Sequence, residues 1–287
     1  MVQLVPVQRV DTLDKQDFLR QHKKPELPVV FEGLTRDWPA REKWSVDYLK
    51  QVAGDRMVPL YDSKPSRDRK HQHAPAARLR LSDYLDRLAE GENDLRLFFF
   101  NLLAEAPELA EDFAFPDIGL KFFQKLPVLF MGGKGARVQM HFDIDLADIF
   151  LCHFGGRKHI MLFPPDQARH LYHVPFSFSG LFGARVENPD YEAYPALRRA
   201  RGYLTTVSHG DILYMPPGYW HYVMYEDVSF SMSLRAFPRT PRNFLKMVNN
   251  LLVIRTVEGF MRRMVGQPWN DRNERRAVQR THRALQL

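Results

Sequence analysis

The sequence contains a single cysteine, Cys152, among its 287 residues. One thiol cannot form an intrachain disulfide, and it cannot supply the several thiolates that structural zinc sites usually contain. Long apolar runs are also missing, because stretches such as Leu97 to Leu103 fall far short of the roughly 20 residues that span a bilayer. The N-terminal residues MVQLVPVQRVDTLDKQ hold no apolar segment typical of a secretory signal. These absences predict a cytoplasmic protein without a membrane span or a disulfide framework.

Acidic residues are outnumbered by basic ones, and 34 Asp and Glu against 41 Lys and Arg give a formal net charge of +7. Clustered Lys and Arg attract phosphates, so RNA is one candidate partner. The other interpretation is a set of solvated helix faces and loops, because no nucleic-acid recognition motif accompanies the clusters. The clusters are Arg67 to Lys70, Arg198 to Arg201, and a tail with Arg262, Arg263, Arg272, Arg275, Arg276, Arg280 and Arg283.

The first 126 residues alternate helical patterns with short apolar runs. Ser45 and Ser82 stand where helices are expected to begin, and Gly54 and Gly91 stand where those helices are expected to end. Segments rich in aromatic and β-branched residues lie between them and are typical of strands. We therefore predict an α/β extension over residues 1–126.

Strand patterns come close together from Pro127 onward. Eight short apolar segments, separated by Gly and Pro, fill residues 127–238 and indicate a sandwich, jelly roll or barrel. After Pro241 the apolar residues are spaced for a helix with a broad apolar face, which needs a partner surface. We predict a mainly β (α+β) fold with its core at 127–238 and a C-terminal helical segment at 239–287 that forms a homodimer.

The triplet His141-Phe142-Asp143 closes a predicted strand. Residues i and i+2 of a strand point to the same side, so His141 and Asp143 can reach one metal ion, although a surface His beside an Asp would give the same triplet. His221 follows a strand and turn, GDILYMPPGYWH, on what we expect to be another strand. Two imidazoles and one carboxylate on one face of iron(II) leave positions for a chelating 2-oxo acid and for O₂.

Lys158 begins an apolar strand between these residues. Its ammonium could pair with an anion from an apolar wall, or it could be a solvated lysine that discourages pairing at a strand edge.

These motifs together resemble the cupin-like Jumonji C family of iron(II)- and 2-oxoglutarate-dependent oxygenases, including the asparaginyl hydroxylase that inhibits the hypoxia-inducible factor and the tRNA wybutosine hydroxylase. The resemblance covers residues 28–237 in family order. It is carried by PVVFEGLTRDWPAREKWSVDYL, HFD, GGRKHIMLFPPDQARHLY, ENPDYEAYP and GDILYMPPGYWHYV.

The resemblance implies a double-stranded β-helix, the cupin or jelly-roll core. It also implies that His141, Asp143 and His221 bind Fe(II) and that Lys158 binds the distal carboxylate of 2-oxoglutarate, with O₂ as co-substrate. Two further residues are predicted to line the cosubstrate pocket: His153, and Ser233, for which a role as a core-facing serine is the alternative. Where relatives place hydroxyl groups beside that carboxylate, this sequence has Val138 and Phe98.

The expected reaction is hydroxylation of a protein or peptide side chain. The interval 172–201 could frame a peptide groove. Asp145 and Asp148 could bind a cationic group of the substrate, or they could be solvated loop carboxylates. Two alternatives stay open: hydroxylation of an RNA base by the same chemistry, and a non-catalytic cupin that binds metal.

Overall fold

The computed structural model describes residues 1–63, 74–91, 93–238 and 240–286, so the basic cluster Arg67 to Lys70 lies outside the described residues. The strands are β1 (Gln3–Pro6), β2 (Gln8–Val10), β3 (Val29–Phe31), β4 (Met57–Tyr61), β5 (Ala77–Arg80), β6 (Arg96–Asn101), β7 (Val128–Gly132), β8 (Arg137–His141), β9 (Asp148–Gly155), β10 (Lys158–Phe163), β11 (Arg201–Val207), β12 (Ile212–Met215), β13 (Trp220–Tyr225) and β14 (Ser229–Ala236). The α-helices are α1 (Lys15–Phe18), α2 (Ala40–Lys43), α3 (Val46–Ala53), α4 (Leu81–Ala89), α5 (Leu102–Glu105), α6 (Pro241–Val248), α7 (Arg255–Met264) and α8 (Gln267–Leu285).

Two β-sheets form the core. Five strands make one sheet in the order β1-β11-β10-β13-β8, and nine make the other in the order β2-β3-β12-β9-β14-β7-β6-β4-β5. The eight strands predicted after Pro127 coincide with β7 to β14. The β-rich jelly-roll core followed by C-terminal helices, predicted from the sequence, is thereby confirmed.

Alternation along the central strand β9 separates the two faces of the larger sheet. Phe150, Cys152 and Phe154 pack in a cluster with the N-terminal helices, whereas Ile149 and Leu151 pack between the sheets. Successive side chains of a strand point to opposite faces, so the odd-numbered residues of β9 line the interior of the jelly roll. This parity decides which polar residues can meet there.

The N-terminal region is built into both sheets. β1 pairs in parallel with β11, and β3 pairs antiparallel with β12, so strands from residues 1–126 extend the predicted core. Ser45 caps α3, accepting a hydrogen bond from the Tyr48 amide, as predicted. The prediction that Ser82 begins a helix was wrong by two residues: Arg80 at the end of β5 occupies the N-cap position, so Ser82 lies in the first turn of α4.

The chain ends in helices, as the apolar spacing predicts. Thr240 caps α6, a π-helical segment Asn249–Ile254 joins it to α7, and α8 follows. None of the residues from α6 to the end of α7 is buried. Within the described parts of the chain, no helix has the length and apolar character needed to cross a membrane.

Candidate metal centre

Two neighbouring strands bring the candidate ligands together. His141 ends β8 and is paired in register with His221 near the start of β13, and their ring centroids are 4.1 Å apart. Asp143 follows two residues after the end of β8. Its Oδ1 lies 3.7 Å from Nε2 of His141 and 4.0 Å from Nε2 of His221. The three ligand atoms lie within 4.8 Å of one another, so one ion with ordinary bonds of about 2.0–2.2 Å can contact all three.

Backbone carbonyls orient both imidazoles. Nδ1 of His141 lies 2.8 Å from the carbonyl oxygen of Gln139, and Nδ1 of His221 lies 3.2 Å from that of Tyr219. Since a carbonyl only accepts, each Nδ1 carries the proton and each Nε2 keeps its lone pair for a metal. A hydrogen bond from the non-ligating nitrogen is the usual support of a metal-binding histidine.

Two of the three candidate ligands, His141 and Asp143, are held in the protonation state that binds metal. Burial, and then the neighbouring His221, lower the pKa of His141 to about 4, so the imidazole is neutral at pH 7. Burial by itself would raise the pKa of Asp143, but the Arg235 guanidinium and the two imidazoles more than offset this and lower it below its usual range. The donor set of two imidazoles and one carboxylate therefore fits iron(II), with adjacent positions open.

The two aspartates predicted to meet the substrate lie in different places. Asp145 is beside the metal centre, where its Oδ2 accepts from Nη1 of Arg235 at 2.7 Å. Asp148 pairs with Lys23 at 3.0 Å and accepts from the Tyr214 hydroxyl at 2.8 Å. It shares its face of β9 with the outer cluster, so the structure does not bring it to the metal centre.

Lys158 is a buried cation in the interior of the jelly roll. Its side chain is only 2% exposed, its Nζ donates to Ser231 Oγ at 2.9 Å, and it lies 4.3 Å from the Tyr225 ring centroid. Among the described residues, no carboxylate forms an ion pair with it, and burial lowers its pKa well below the usual value. An anion that binds beside Lys158 would strongly stabilise the charged form of this buried amine. Its surroundings fit the distal carboxylate of 2-oxoglutarate.

His153 and Ser231 continue this polar cluster. Nε2 of His153 lies 2.7 Å from the carbonyl oxygen of Gly156 and must donate to it, so Nδ1 accepts from Ser231 Oγ at 2.8 Å. The chain of donors then runs from Lys158 through Ser231 to His153. Ser233 lies on the same face of β14, and its buried Oγ has no hydrogen-bond partner among the described residues, which leaves it available to a ligand.

Ser231 and Tyr225 were missed at the sequence level. The sequence points to hydroxyl-poor positions at Val138 and Phe98, and neither provides a polar contact: Val138 packs between the sheets, and Phe98 is 48% exposed with its ring against Phe130. The alternation in SFSMSLRA was the available signal, because it places Ser231 on the same face as Ser233.

The predicted groove segment runs beside the first ligand. Within the interval 172–201, Ser179 forms a β-bridge with His141, the Phe142 amide donates to the Phe178 carbonyl at 3.0 Å, and the Gly180 amide donates to the Met140 carbonyl at 3.0 Å. The segment therefore covers the outer edge of β8 at the end that carries His141.

Comparison with known proteins identifies the class. The family model of the cupin-like domain matches residues 15–239, which is most of the chain. The fold, the triad and this match agree, and the chain belongs to the cupin-like Jumonji C family, whose members are typically iron(II)- and 2-oxoglutarate-dependent oxygenases.

Three named relatives are each similar to most of this chain. The chain is 31% identical over 229 residues to lysine-specific demethylase 8 of Danio rerio, a match that covers 76% of this chain and 54% of the relative. It is 30% identical over 261 residues to tRNA wybutosine-synthesizing protein 5 of Gallus gallus, covering 81% of this chain and 77% of the relative. Jumonji C domain-containing protein 5 of Drosophila melanogaster is 30% identical over 242 residues, with 79% and 59% covered. The chain thus spans about half the length of the demethylase that it matches.

Proposed function

We propose that this protein is an iron(II)- and 2-oxoglutarate-dependent hydroxylase of a protein side chain. In the balanced reaction, 2-oxoglutarate, O₂ and a substrate C–H bond give succinate, CO₂ and a C–OH group. The observation that carries the proposal is the pairing of a three-ligand metal centre with the buried Lys158, which has no anionic partner among the described residues.

The residues of the chain have distinct tasks in this proposal. His141, Asp143 and His221 hold the iron, and Lys158 holds the distal carboxylate of 2-oxoglutarate, with Ser233 as a further donor. Bound iron and 2-oxoglutarate together supply the oxidising chemistry with O₂. The interior of the jelly roll around Lys158 is buried, which excludes water and strengthens the contact between ammonium and carboxylate.

A protein substrate is favoured by the segment beside the first ligand. Its residues 178–180 are hydrogen bonded to the edge of β8 beside His141, so a peptide that contacts this segment would lie next to the candidate ligand. Asp145 shares Arg235 with the candidate ligand Asp143, which places it next to the metal centre, where we propose that it contacts the substrate.

RNA is the second candidate substrate, and a separate surface favours it. A cavity of about 530 Å³ is lined by four exposed arginines and one acidic residue, Asp166. No ion pair involving these arginines is found in the described part of the chain. Arg283 of α8 is exposed and lies two residues before Leu285, whose carbonyl accepts from Nη1 of Arg199 at 3.0 Å. Such a surface fits a phosphate backbone. The four cavity arginines are Arg169, Arg198, Arg199 and Arg201.

The proposal includes a homodimer formed through the C-terminal helices. Leu245, Leu252 and Met264 are each at least 66% exposed, and no residue from α6 through α7 is buried, so a second copy is the partner that we propose for this face. Such an apolar face is unusual on a monomer. We also propose a cytoplasmic location, which suits the buried free thiol of Cys152.

The first experiment measures succinate formed from 2-oxoglutarate with iron(II), ascorbate and O₂. We expect slow succinate release by the wild-type protein without substrate, and loss of both release and metal retention in Asp143→Ala. Asp37→Ala, an exposed aspartate distant in sequence from the ligands, is the matched control. A wild type that binds metal but releases no succinate, even with added substrates, would support the non-catalytic cupin instead.

The second experiment identifies the substrate class. Cell extract is divided into a protein fraction and an RNA fraction, each is incubated with the enzyme, and mass spectrometry searches for products that have gained one oxygen. Gain in the protein fraction alone supports the protein hydroxylase. Gain in the RNA fraction alone, lost when Arg198 and Arg201 are replaced by Gln, would favour the RNA candidate.

A further inference from the structure

One buried arginine contacts the candidate metal-binding carboxylate. Arg235, on β14, is 8% exposed and shares its face with Ser233 in the interior of the jelly roll. Its Nη2 donates to Asp143 Oδ2 at 2.7 Å, and its Nη1 donates to Asp145 Oδ2 at 2.7 Å. The guanidinium is therefore fixed between two carboxylates by short, charge-assisted hydrogen bonds.

The two oxygens of Asp143 consequently differ. Oδ2 is occupied by Arg235, whereas Oδ1 faces Nε2 of His141 and of His221 at 3.7 and 4.0 Å. A carboxylate with both oxygens free can bind one ion through both, and the second oxygen would then take a position that the cosubstrate or O₂ needs. When Oδ2 is held by Arg235, Asp143 has only Oδ1 available to bind a metal ion.

We propose that Arg235 is a positioning residue that makes Asp143 a one-oxygen ligand, and that Asp145 acts on the metal centre through Arg235. The proposal rests on the metal site of the proposed function and is independent of the cosubstrate and the substrate. It assigns to Asp145 a role in aligning the guanidinium, because this is the contact that its Oδ2 makes.

Arg235 exerts two opposite effects on a bound cation, and their balance can be measured. Its positive charge repels the ion and lowers affinity, whereas its hydrogen bond holds Asp143 in the ligating orientation and raises affinity. Groups that orient metal ligands typically contribute 10-fold to 100-fold in metal affinity or activity. The positioning role requires that the second effect be the larger.

The test is the affinity for Mn²⁺, measured by isothermal titration without 2-oxoglutarate. We expect Arg235→Met to bind Mn²⁺ about 10-fold to 100-fold more weakly than the wild type, and Arg235→Lys, which keeps the charge and one donor, to recover part of that loss. Equal or tighter binding by Arg235→Met would overturn the proposal. Circular dichroism confirms folding, and Arg235→Lys carries the test if Arg235→Met fails to fold.

Cobalt(II) absorption gives a readout that a merely structural role would not change. In the wild type, the Co²⁺ spectrum reports the coordination with one Asp143 oxygen, and we expect Arg235→Met to change the band positions and intensities as the second oxygen becomes a ligand. Arg235→Lys should return the spectrum toward that of the wild type. Superimposable spectra for all three proteins would contradict one-oxygen control by Arg235.

A double-mutant cycle tests the part played by Asp145. Asp145→Ala should weaken Mn²⁺ binding by itself, but it should add nothing to Arg235→Met, because its effect passes through the guanidinium. Fully additive losses would overturn this part of the proposal. Asp37→Ala is the control, and a wild type that fails to bind Mn²⁺ would refute the metal site of the proposed function, a result distinct from failure of the positioning role.

Discussion

Replacing Lys158 by Met should stabilise the protein while it damages binding of 2-oxoglutarate. The ammonium is buried beside Ser231 and the Tyr225 ring, and no described carboxylate offsets the loss of hydration. Met has a similar length and carries no charge. Replacing buried charges by apolar groups of similar volume is often neutral or stabilising by about 1–4 kcal/mol, so we expect Lys158→Met to unfold at a temperature several degrees higher without ligand.

Binding of the cosubstrate should change in the opposite direction. A hydrogen bond to a charged group contributes about 1.5–3 kcal/mol, so loss of the Lys158 contact should weaken 2-oxoglutarate binding about 10-fold to 150-fold. At a concentration 100 times the wild-type Kd, 2-oxoglutarate stabilises the wild type by about 2.7 kcal/mol. At the same concentration, a variant with 100-fold weaker binding would gain only about 0.4 kcal/mol.

The assay is thermal unfolding with Mn²⁺, in the presence and absence of 2-oxoglutarate. The exposed Lys125, changed to Met, is the matched control and should move stability by less than about 0.5 kcal/mol. A lower unfolding temperature for ligand-free Lys158→Met would refute the argument that burial of the Lys158 charge destabilises the protein. An undiminished shift on adding 2-oxoglutarate would refute the assignment of Lys158 to its carboxylate.

Three further predictions concern acid stability, packing and assembly. Burial lowers the pKa of His153, so the stability that depends on its neutral form is complete above the unfolded pKa of about 6.5. As the pH falls below that value, this stability is lost at up to about 1.4 kcal/mol per pH unit. Denaturant unfolding from pH 7 to 5 should therefore show a free energy of unfolding that depends less steeply on pH in His153→Asn than in the wild type. Gly132→Ala should destabilise the protein by about 1–3 kcal/mol in the same assay, because its Cβ would lie 2.8 Å from the Tyr225 ring. Light scattering should show a dimer that Leu252→Asp with Phe260→Asp converts to a monomer.

Each of these outcomes has a clear contrary result. An unchanged pH slope in His153→Asn would mean that the imidazole already titrates normally in the fold. Wild-type stability in Gly132→Ala would show that the Tyr225 ring can move aside. A wild type that is monomeric at micromolar concentration would remove the dimer, and the apolar face from α6 to α7 would then need another partner.

Much of the architecture follows from local patterns in the sequence. Closely spaced strand signals after Pro127 predict β7 to β14 because each segment has its own Gly or Pro boundary. β1 and β2 were not predicted, because three or four residues such as QLVP show no clear alternation and form strands only by pairing with distant β11 and β3. The start of α4 differs from the prediction at Ser82 for a related reason, because pairing of β5 with β4 keeps the backbone extended through Arg80.

In the candidate site, too, local sequence patterns predict some features, whereas features that depend on strand pairing are not predicted. The grouping of the three candidate ligands could be predicted, because His141 and Asp143 lie two residues apart on the chain and His221 ends a recognisable strand and turn. Asp148 was predicted from proximity in sequence to Asp143, but the parity of β9 directs it to Lys23 on the outer face. Contacts that depend on register between distant strands, such as Lys158 with Ser231, were beyond the sequence patterns.

The last strand, β14, shows why the strand register that the sequence patterns do not predict matters for function. β14 pairs with β9 over its whole length, and its odd-numbered residues place polar groups in order along the interior of the jelly roll. Ser231 contacts Lys158, Arg235 holds Asp143, and the Ser233 hydroxyl has no partner in the part of the chain that the structure describes. A single strand therefore links the proposed cosubstrate pocket to the metal centre. Because a shift of one residue in register would turn all three side chains to the outer face, the β9 pairing that fixes this register is as necessary to the site as the ligands themselves.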